Sequence, residues 1–161
     1  MRYRIAAYLV WFAGSAAFGW GFFALAVLPA NDWLADIIGG RNMILVGAPI
    51  IEESAKILPP LGLVPFVGRP LAAWTGLGVV AGSIFHEIAL RDHQVRSRIP
   101  DLSWYMRLEL AARRLIVWGF VGFISVQTIL QGKARWVLIA TGIHIMWNAY
   151  WWCIIGSCVN W

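Results

Sequence analysis

The sequence predicts an all-α fold, a polytopic transmembrane helix bundle of about five helices in which four form the core. Of its 161 residues, 60% are hydrophobic and only 13% are charged, so a water-soluble domain of this size would lack the polar surface to cover itself. Apolar runs of about 20 residues, the length that crosses a bilayer, alternate with polar segments. The 11 Trp residues suit a membrane interface. We therefore predict an integral membrane protein with a single domain over residues 1–161.

The net charge of +5 favours a membrane surface over nucleic acid as the partner. The basic residues lie at the ends of the apolar runs and between them, where anionic lipid headgroups meet them. Membrane lipid is therefore an expected partner, and nucleic acid is not.

The first apolar run, residues 5–29, follows Arg2 and Arg4 and contains no charged side chain. At about 25 residues it is longer than the apolar part of a signal peptide and can cross a bilayer with some tilt. We expect an uncleaved first helix here, auxiliary to the core.

Hydropathy places four further helices along the chain, each close to the length that a bilayer demands. They are predicted at residues 43–66, 71–90, 108–130 and 135–157. Two polar connections are longer than the others, residues 30–42 and 91–107.

Two of these predicted helices contain residues that alter helix geometry. Several prolines interrupt the second span, and we expect a kinked or broken helix because proline removes a backbone donor. They are Pro49, Pro59, Pro60 and Pro65. The third span contains Gly78 and Gly82 in a GxxxG spacing, which predicts close packing against a neighbouring helix.

The second span also contains three ionisable residues, Glu52, Glu53 and Lys56. Each ionised side chain at mid-depth costs about 2.5 to 3.5 kcal/mol, so these residues need partners or a water-filled cavity. Glu52 and Lys56 are four residues apart and are predicted to pair, while Glu53 points about 100° away and needs another partner. A pair that only fixes helix packing is the alternative.

Polar residues also occur in the third and last spans. His86 and Glu87 end the third span, and antiparallel connection places them in the same half of the bilayer as the two acids of the second span. His144 and Asn148 are four apart and project from one face of the last helix. The alternatives are interfacial side chains at 86 and 87, a core histidine, and a helix–helix hydrogen bond from Asn148.

Together these groups suggest hydrolysis, in which a carboxylate takes a proton from water and His and Asn donors stabilise the oxyanion. A version assisted by zinc is equally compatible with the residue types, because carboxylate oxygen and imidazole nitrogen are zinc ligands. The candidate ligands are Glu53, His86, Glu87 and His144. The sequence offers no suitable serine nucleophile, because no histidine is placed to activate Ser54.

Three short motifs, each in a separate span, resemble those of a known family. Residues 52–56 read EExxK, Glu87 closes a second motif, and residues 144–148 read HxxxN. The pattern is similar to that of the PrsW-type and CAAX-protease-like (CPBP, or Abi) intramembrane peptidases, whose four-helix core contains these motifs in this order. The resemblance covers residues 43–157, the predicted peptidase-like core.

The match to either branch of the family is partial. PrsW-type proteins resemble EExxK, FxxxE and HxxxD, whereas this chain has Ser83 and Asn148 where the Phe and the Asp would stand. CAAX-type relatives resemble EExxxR, FxxxH and HxxxN, whereas here Ile57 and Gly82 stand at the Arg and Phe positions. The chain thus lies between the two patterns.

The resemblance implies an intramembrane endopeptidase, of glutamate type or metal-dependent, that cuts a membrane-embedded or lipidated substrate in a prokaryotic plasma membrane. Glu52 or Glu53 would be the base, with Lys56 supporting. His86 or Glu87 would orient water or metal, and His144 with Asn148 would bind the oxyanion.

Arg113 and Arg114 begin the fourth span on the side of the expected site and could bind a substrate carboxylate or phosphate. Reaching toward lipid phosphate is the alternative for both. Two other functions compete with the peptidase: a non-catalytic membrane scaffold of the same family, and a small proton-coupled transporter in which the buried acids and histidines form a relay.

Overall fold

The computed structural model describes residues 2–98, 101 and 103–156, and no described residue lies in a β-strand. Six α-helices and two π-helical turns make up this part of the chain. In order they are α1 Arg2–Phe22, the π turn Phe23–Val27, α2 Leu28–Ile38, α3 Gly40–Asn42, the π turn Met43–Gly47, α4 Ala48–Arg98, α5 Trp104–Gln131 and α6 Arg135–Gly156. The prediction of an all-α fold is confirmed for the described residues.

Three helical segments are long and apolar enough to cross a membrane: Ile5–Ile38, Gly40–Leu90 and Trp104–Gln131. Large apolar side chains cover their outer surface, and Leu25 and Phe66 are each 83% exposed. An exterior of this kind is stable in lipid and costly in water. The chain has the character of an integral membrane protein.

Helix α4 is divided at Gly68, whose φ of 76° and ψ of 163° are not helical. Glycine is suited to this position because a Cβ would clash in that region of backbone space. The two parts, residues 48–67 and 69–98, fold back on each other, so that Gly76 packs against Pro60. The expected interruption thus occurs at a glycine, and the backbone keeps helical angles through the prolines at 59, 60 and 65.

Both π turns end two residues before a proline. In the second, the N–H of Ala48 donates to the carbonyl of Met43, and Pro49 follows. In the first, the N–H of Leu28 donates to the carbonyl of Phe23, and residue 29 is again proline. A proline ring collides with the carbonyl of the preceding helical turn, and one extra residue in that turn relieves the collision.

The first helix packs along residues 69–98 of α4 through small residues. A Cβ at Gly82 would overlap the carbonyl oxygen of Ala16, and a Cβ at Gly78 would lie 2.5 Å from Cβ of Ser15. The close packing that the GxxxG spacing predicts is therefore confirmed, with α1 as the neighbour. Trp11 adds a hydrogen bond across this contact, from Nε1 to Oγ1 of Thr75 at 2.7 Å.

The apolar core lies between α4, α5 and α6. Its members are small or β-branched side chains with a single large ring, and nearly all are fully enclosed. They include Ile57, Ala73, Val80, Trp118, Val121, Ile129 and Ala140. The buried polar residues of the candidate site described below lie beside this core.

Several helices are longer than hydropathy predicted. Residues 30–38, assigned to a polar connection, continue the first helix to Ile38. Residues 91–98 continue α4, and α5 begins at Trp104, where Oγ of Ser103 accepts a hydrogen bond from the N–H of Met106. Hydropathy marks where a helix is apolar, and these polar ends are helical beyond that region.

Candidate functional site

Glu53 lies at the centre of a polar cluster inside the bundle and is 0% exposed. Its Oε1 accepts a hydrogen bond from Nζ of Lys56 at 2.6 Å and lies 3.0 Å from Nδ1 of His144. Its Oε2 accepts a hydrogen bond from Oγ of Ser125 at 2.7 Å. Three helices, α4, α5 and α6, therefore meet at one carboxylate whose two oxygens are both engaged.

The partner of Lys56 differs from the one that its spacing predicted. The sequence predicted a pair between Glu52 and Lys56, four residues apart, and the structure pairs Lys56 with Glu53, three residues apart. Both spacings bring side chains together on a helix. Burial favours the pair with Glu53, because Lys56 is 3% exposed and Glu53 is the acid enclosed beside it.

His144 lies between the two adjacent acids of α4. Its Nδ1 faces Glu53, while its Nε2 lies 4.0 Å from Oε2 of Glu52. The ring also packs against the indole of Trp118, with centroids 4.1 Å apart. The imidazole is thus held at Nδ1 by Glu53 and along its face by Trp118, and Nε2 points toward Glu52.

Glu52 is the more accessible acid of the pair, with 21% of its side chain exposed. Nδ2 of Asn31, on α2, donates a hydrogen bond to its Oε1 at 3.3 Å. The auxiliary first helix therefore contributes a contact to the site. Asn31 lies four residues after the first π turn, and Glu52 lies five residues after the second.

His86 and Glu87 point in different directions. The ring of His86 packs edge-on against Trp20 of α1 at 5.3 Å, and among the described residues neither of its buried nitrogens has a hydrogen-bond partner. The charge of Glu87, in contrast, acts on both Glu52 and Lys56. The structure brings Glu87 toward the cluster and His86 toward α1.

Asn148 is engaged away from Glu53. Its Nδ2 donates to the carbonyl of Ile44 at 2.8 Å. In the second π turn the N–H of Ala48 donates to the carbonyl five residues before it, that of Met43. On the same pattern the carbonyl of Ile44 would accept from residue 49, which is proline and has no N–H. Asn148 therefore supplies a donor that the backbone lacks.

Arg113 and Arg114 lie apart from the cluster, about 17–18 Å along α5 from Ser125. Arg113 forms an exposed ion pair with Glu109. Arg114 lines a groove between α4 and α5 that also contains Arg107. Neither arginine contacts the acids of the second span in the described part of the chain.

The arrangement does not fit the zinc site that the residue types allowed. Within residues 2–98, 101 and 103–156, no three His, Cys, Asp or Glu side chains are grouped to hold a metal ion. Of the four candidate ligands, Glu53 and His144 converge, but Nζ of Lys56 already provides the cation beside Glu53. A second cation there would meet like charge in a region of low dielectric.

Sequence reasoning missed three contributors to the site, Asn31, Trp118 and Ser125. Ser125 is one of few polar residues in its apolar span, which is a signal that could have marked it. Asn31 fell in a predicted connection, and Trp118 resembled the many interfacial tryptophans. Each is joined to the cluster only by tertiary contacts.

No family model, curated protein or solved structure matches the chain.

Proposed function

We propose that the chain is an intramembrane endopeptidase that hydrolyses a peptide bond of a membrane-embedded or lipidated substrate, using water activated by Glu52. One observation carries the proposal: His144 is held by buried Glu53 through Nδ1 and presents Nε2 at 4.0 Å from the more exposed Glu52. That separation exceeds a direct hydrogen bond and suits a water molecule between the two groups.

In the proposed reaction, Glu52 removes a proton from this water as it attacks the substrate carbonyl. Nε2–H of a doubly protonated His144 donates to the oxyanion that forms, while Nδ1–H donates to Glu53. The protonated Glu52 then passes its proton to the leaving amine as the tetrahedral intermediate collapses. The bond formed is carbonyl carbon to water oxygen, and the bond broken is the peptide C–N.

Charge balance supports this assignment of protons. Among the four residues joined by ion pairs, two carboxylates, Glu52 and Glu53, face two cations, Lys56 and protonated His144, so these four are together neutral, and Glu87 lies outside these pairs. Neutral, hydrogen-bonded clusters are the form in which ionised groups are stable away from water. In this mechanism Glu53, Lys56 and Ser125 are positioning residues, since Glu53 and Ser125 are each fully buried.

The proposal includes five membrane crossings in a prokaryotic plasma membrane. The fold-back at Gly68 supports two crossings within α4, and α6, with 22 residues, has the length of one more. Arg69, beside that turn, donates to the carbonyl of Leu130 near the turn between α5 and α6. This contact favours one side of the membrane for both turns. The cellular location comes from the resemblance of the motifs.

The test compares membranes from cells that produce the wild-type chain, Glu52→Gln or Glu109→Gln. Peptides with new N-termini are mapped by mass spectrometry and assigned to membrane proteins. We expect a set of cleavages that depends on the wild-type chain, is retained in Glu109→Gln and is absent in Glu52→Gln. Glu109 is a matched control because it undergoes the same chemical change on the exposed surface of α5.

Cleavage that persists in Glu52→Gln at the wild-type level would exclude Glu52 as the base. If membranes with and without the wild-type chain had identical N-termini, the peptidase proposal would fail, and a scaffold without catalysis would be the better description.

A further inference from the structure

A groove of about 760 Å³ lies between the end of α4 and the beginning of α5, away from Glu52, Glu53 and His144. Phe85 and Ile88 form one wall, Leu108 and Ala111 form the other, and Trp20 of α1 lines it as well. Phe85 is 55% exposed and Leu108 is 58% exposed, so the groove opens toward the apolar exterior. A hydrocarbon chain fits these walls.

The polar residues that line the groove are mostly basic. Arg107 and Arg114 belong to α5, and Asp92 belongs to α4. Nη1 of Arg107 lies 4.0 Å from Oδ1 of Asp92, and 28% of the Arg107 side chain is exposed. Two guanidinium groups and one carboxylate thus line the groove.

The groove lies near the ends of its two main helices, which fits a position of these charges at the level of lipid headgroups. Arg107 and Arg114 lie within the first three turns of α5, and Asp92 lies in the last two turns of residues 69–98. Trp104 is the first residue of α5 and is 69% exposed. Exposed tryptophans are typical of membrane interfaces. A ligand that fills this groove therefore needs a phosphate beside the arginines and a hydrocarbon chain at the adjacent depth of the membrane.

We propose that this groove binds one anionic phospholipid, with its phosphate on Arg107 and Arg114 and one acyl chain along Phe85, Ile88 and Leu108. Arginine suits phosphate because its planar donors match the oxygen geometry. An anionic headgroup is favoured over a zwitterionic one because two of the three charged side chains that line the groove are cationic. The inference does not depend on the proposed peptidase, because none of the groove residues belongs to the Glu53 cluster.

The experiment uses the full chain purified in a non-ionic detergent and native mass spectrometry to measure lipid binding. Phosphatidylglycerol, phosphatidylethanolamine and phosphatidylcholine with identical acyl chains are added separately. We expect phosphatidylglycerol to bind about tenfold more tightly than the other two, because it alone of the three carries a net negative charge for the arginines to attract. Arg107→Gln/Arg114→Gln should remove this preference.

Arg41→Gln/Arg135→Gln is the matched control, because it removes the same charge from two exposed residues outside the groove. It should keep the preference. Ala111→Trp retains both groove arginines and fills the space between the walls, and it should weaken phosphatidylglycerol binding as strongly as loss of the arginines. This variant also covers the case in which the arginine variant fails to fold.

Equal binding of the three lipids would overturn the proposal, and so would a preference for phosphatidylethanolamine. Retention of the phosphatidylglycerol preference in either groove variant would overturn it as well. A prenylated peptide with a free C-terminal carboxylate is added in a last arm. If the peptide binds through Arg107 and Arg114 while phosphatidylglycerol does not, the groove is a peptide site and the lipid proposal is wrong.

Discussion

The side-chain amide of Asn148 lies 2.8 Å from the carbonyl oxygen of Ile44, across 104 positions of sequence. It takes the place of a backbone N–H that Pro49 does not have. An unpaired carbonyl in a lipid-facing helix costs about 1–3 kcal/mol or more. A residue that resembles a catalytic donor thus has a clear structural partner.

This relationship predicts a coupling between residues 148 and 49. Asn148→Ala alone should lower the free energy of unfolding by about 1–3 kcal/mol. In a Pro49→Ala background the same change should cost less than about 0.5 kcal/mol, because the new N–H serves the carbonyl. Circular dichroism during titration with a denaturing detergent measures both values. Equal costs of Asn148→Ala in the two backgrounds would show that its hydrogen bond to the Ile44 carbonyl does not contribute to stability.

The same double variant separates the structural role of Asn148 from an oxyanion role. We expect Pro49→Ala/Asn148→Ala to retain the membrane-protein cleavage that we propose for the wild type. An oxyanion donor, when removed, costs about 10²–10³-fold in rate. A stable double variant that has lost activity to that degree would return Asn148 to the catalytic groups.

The buried ion pair between Glu53 and Lys56 predicts non-additive changes in stability. Glu53→Gln or Lys56→Met alone should destabilise the chain by about 3–5 kcal/mol, because each leaves one buried charge uncompensated. The double variant should cost less than the sum of the two. The midpoint of unfolding in detergent, measured for the four proteins, gives the coupling energy. Additive losses would mean that the two charges do not compensate each other.

The contact between Asn31 and Glu52 predicts that the first helix affects activity. Asn31→Ala should reduce the rate of cleavage by about tenfold or more, because a hydrogen bond to a charged group contributes about 1.5–3 kcal/mol. Asn42→Ala is the control, since Asn42 donates only to the exposed carbonyl of Ile38. A wild-type rate in Asn31→Ala would show that Glu52 keeps its position without this contact.

The close approach of α1 and α4 at Gly82 predicts a steric effect. Gly82→Ala should lower stability by about 1–3 kcal/mol, because the new Cβ overlaps the Ala16 carbonyl and the helices must separate. Gly119→Ala makes the same change where a Cβ would meet no described atom within 4 Å. Thermal unfolding in detergent compares them, and equal midpoints would contradict the packing described for Gly82.

The fold-back at Gly68 predicts which turns share a side of the membrane. Single cysteines are introduced by Asp36→Cys, Arg69→Cys, Asp101→Cys and Lys133→Cys in a background of Cys153→Ser/Cys158→Ser. In sealed vesicles, an impermeant thiol reagent should label positions 36 and 101 from one side and positions 69 and 133 from the other. Labelling of positions 36 and 69 from the same side would contradict two crossings within α4.

Much of the fold could be predicted from the sequence, because lipid demands long apolar helices and the apolar runs are visible. The helix ends could not be predicted, since polar residues such as Asp32 and Asp36 continue a helix after its apolar part has ended. Nor could the position of the break in α4 be chosen among four prolines and several glycines. Tertiary packing and the φ angle of Gly68 decide it.

The sequence indicated several members of the polar cluster but not the contacts that join them. The adjacent acids of the second span and His144 are conspicuous in apolar sequence, and the structure brings them together. Helical spacing allowed Lys56 to reach either acid, and only the position of α5 and α6 selects Glu53. Ser125 is 72 positions from its partner, a separation at which local pattern contains no information.

The π turns at Phe23–Val27 and Met43–Gly47 have a consequence for how this chain is compared with others. Each inserts one residue, so the face assigned to any later position rotates by about 100° relative to the positions before it. A helical wheel drawn through residues 5–38 as one regular helix therefore misplaces Asn31. An alignment that deleted one residue from either turn would preserve every motif downstream and still turn Asn31 away from Glu52, or Glu52 away from His144.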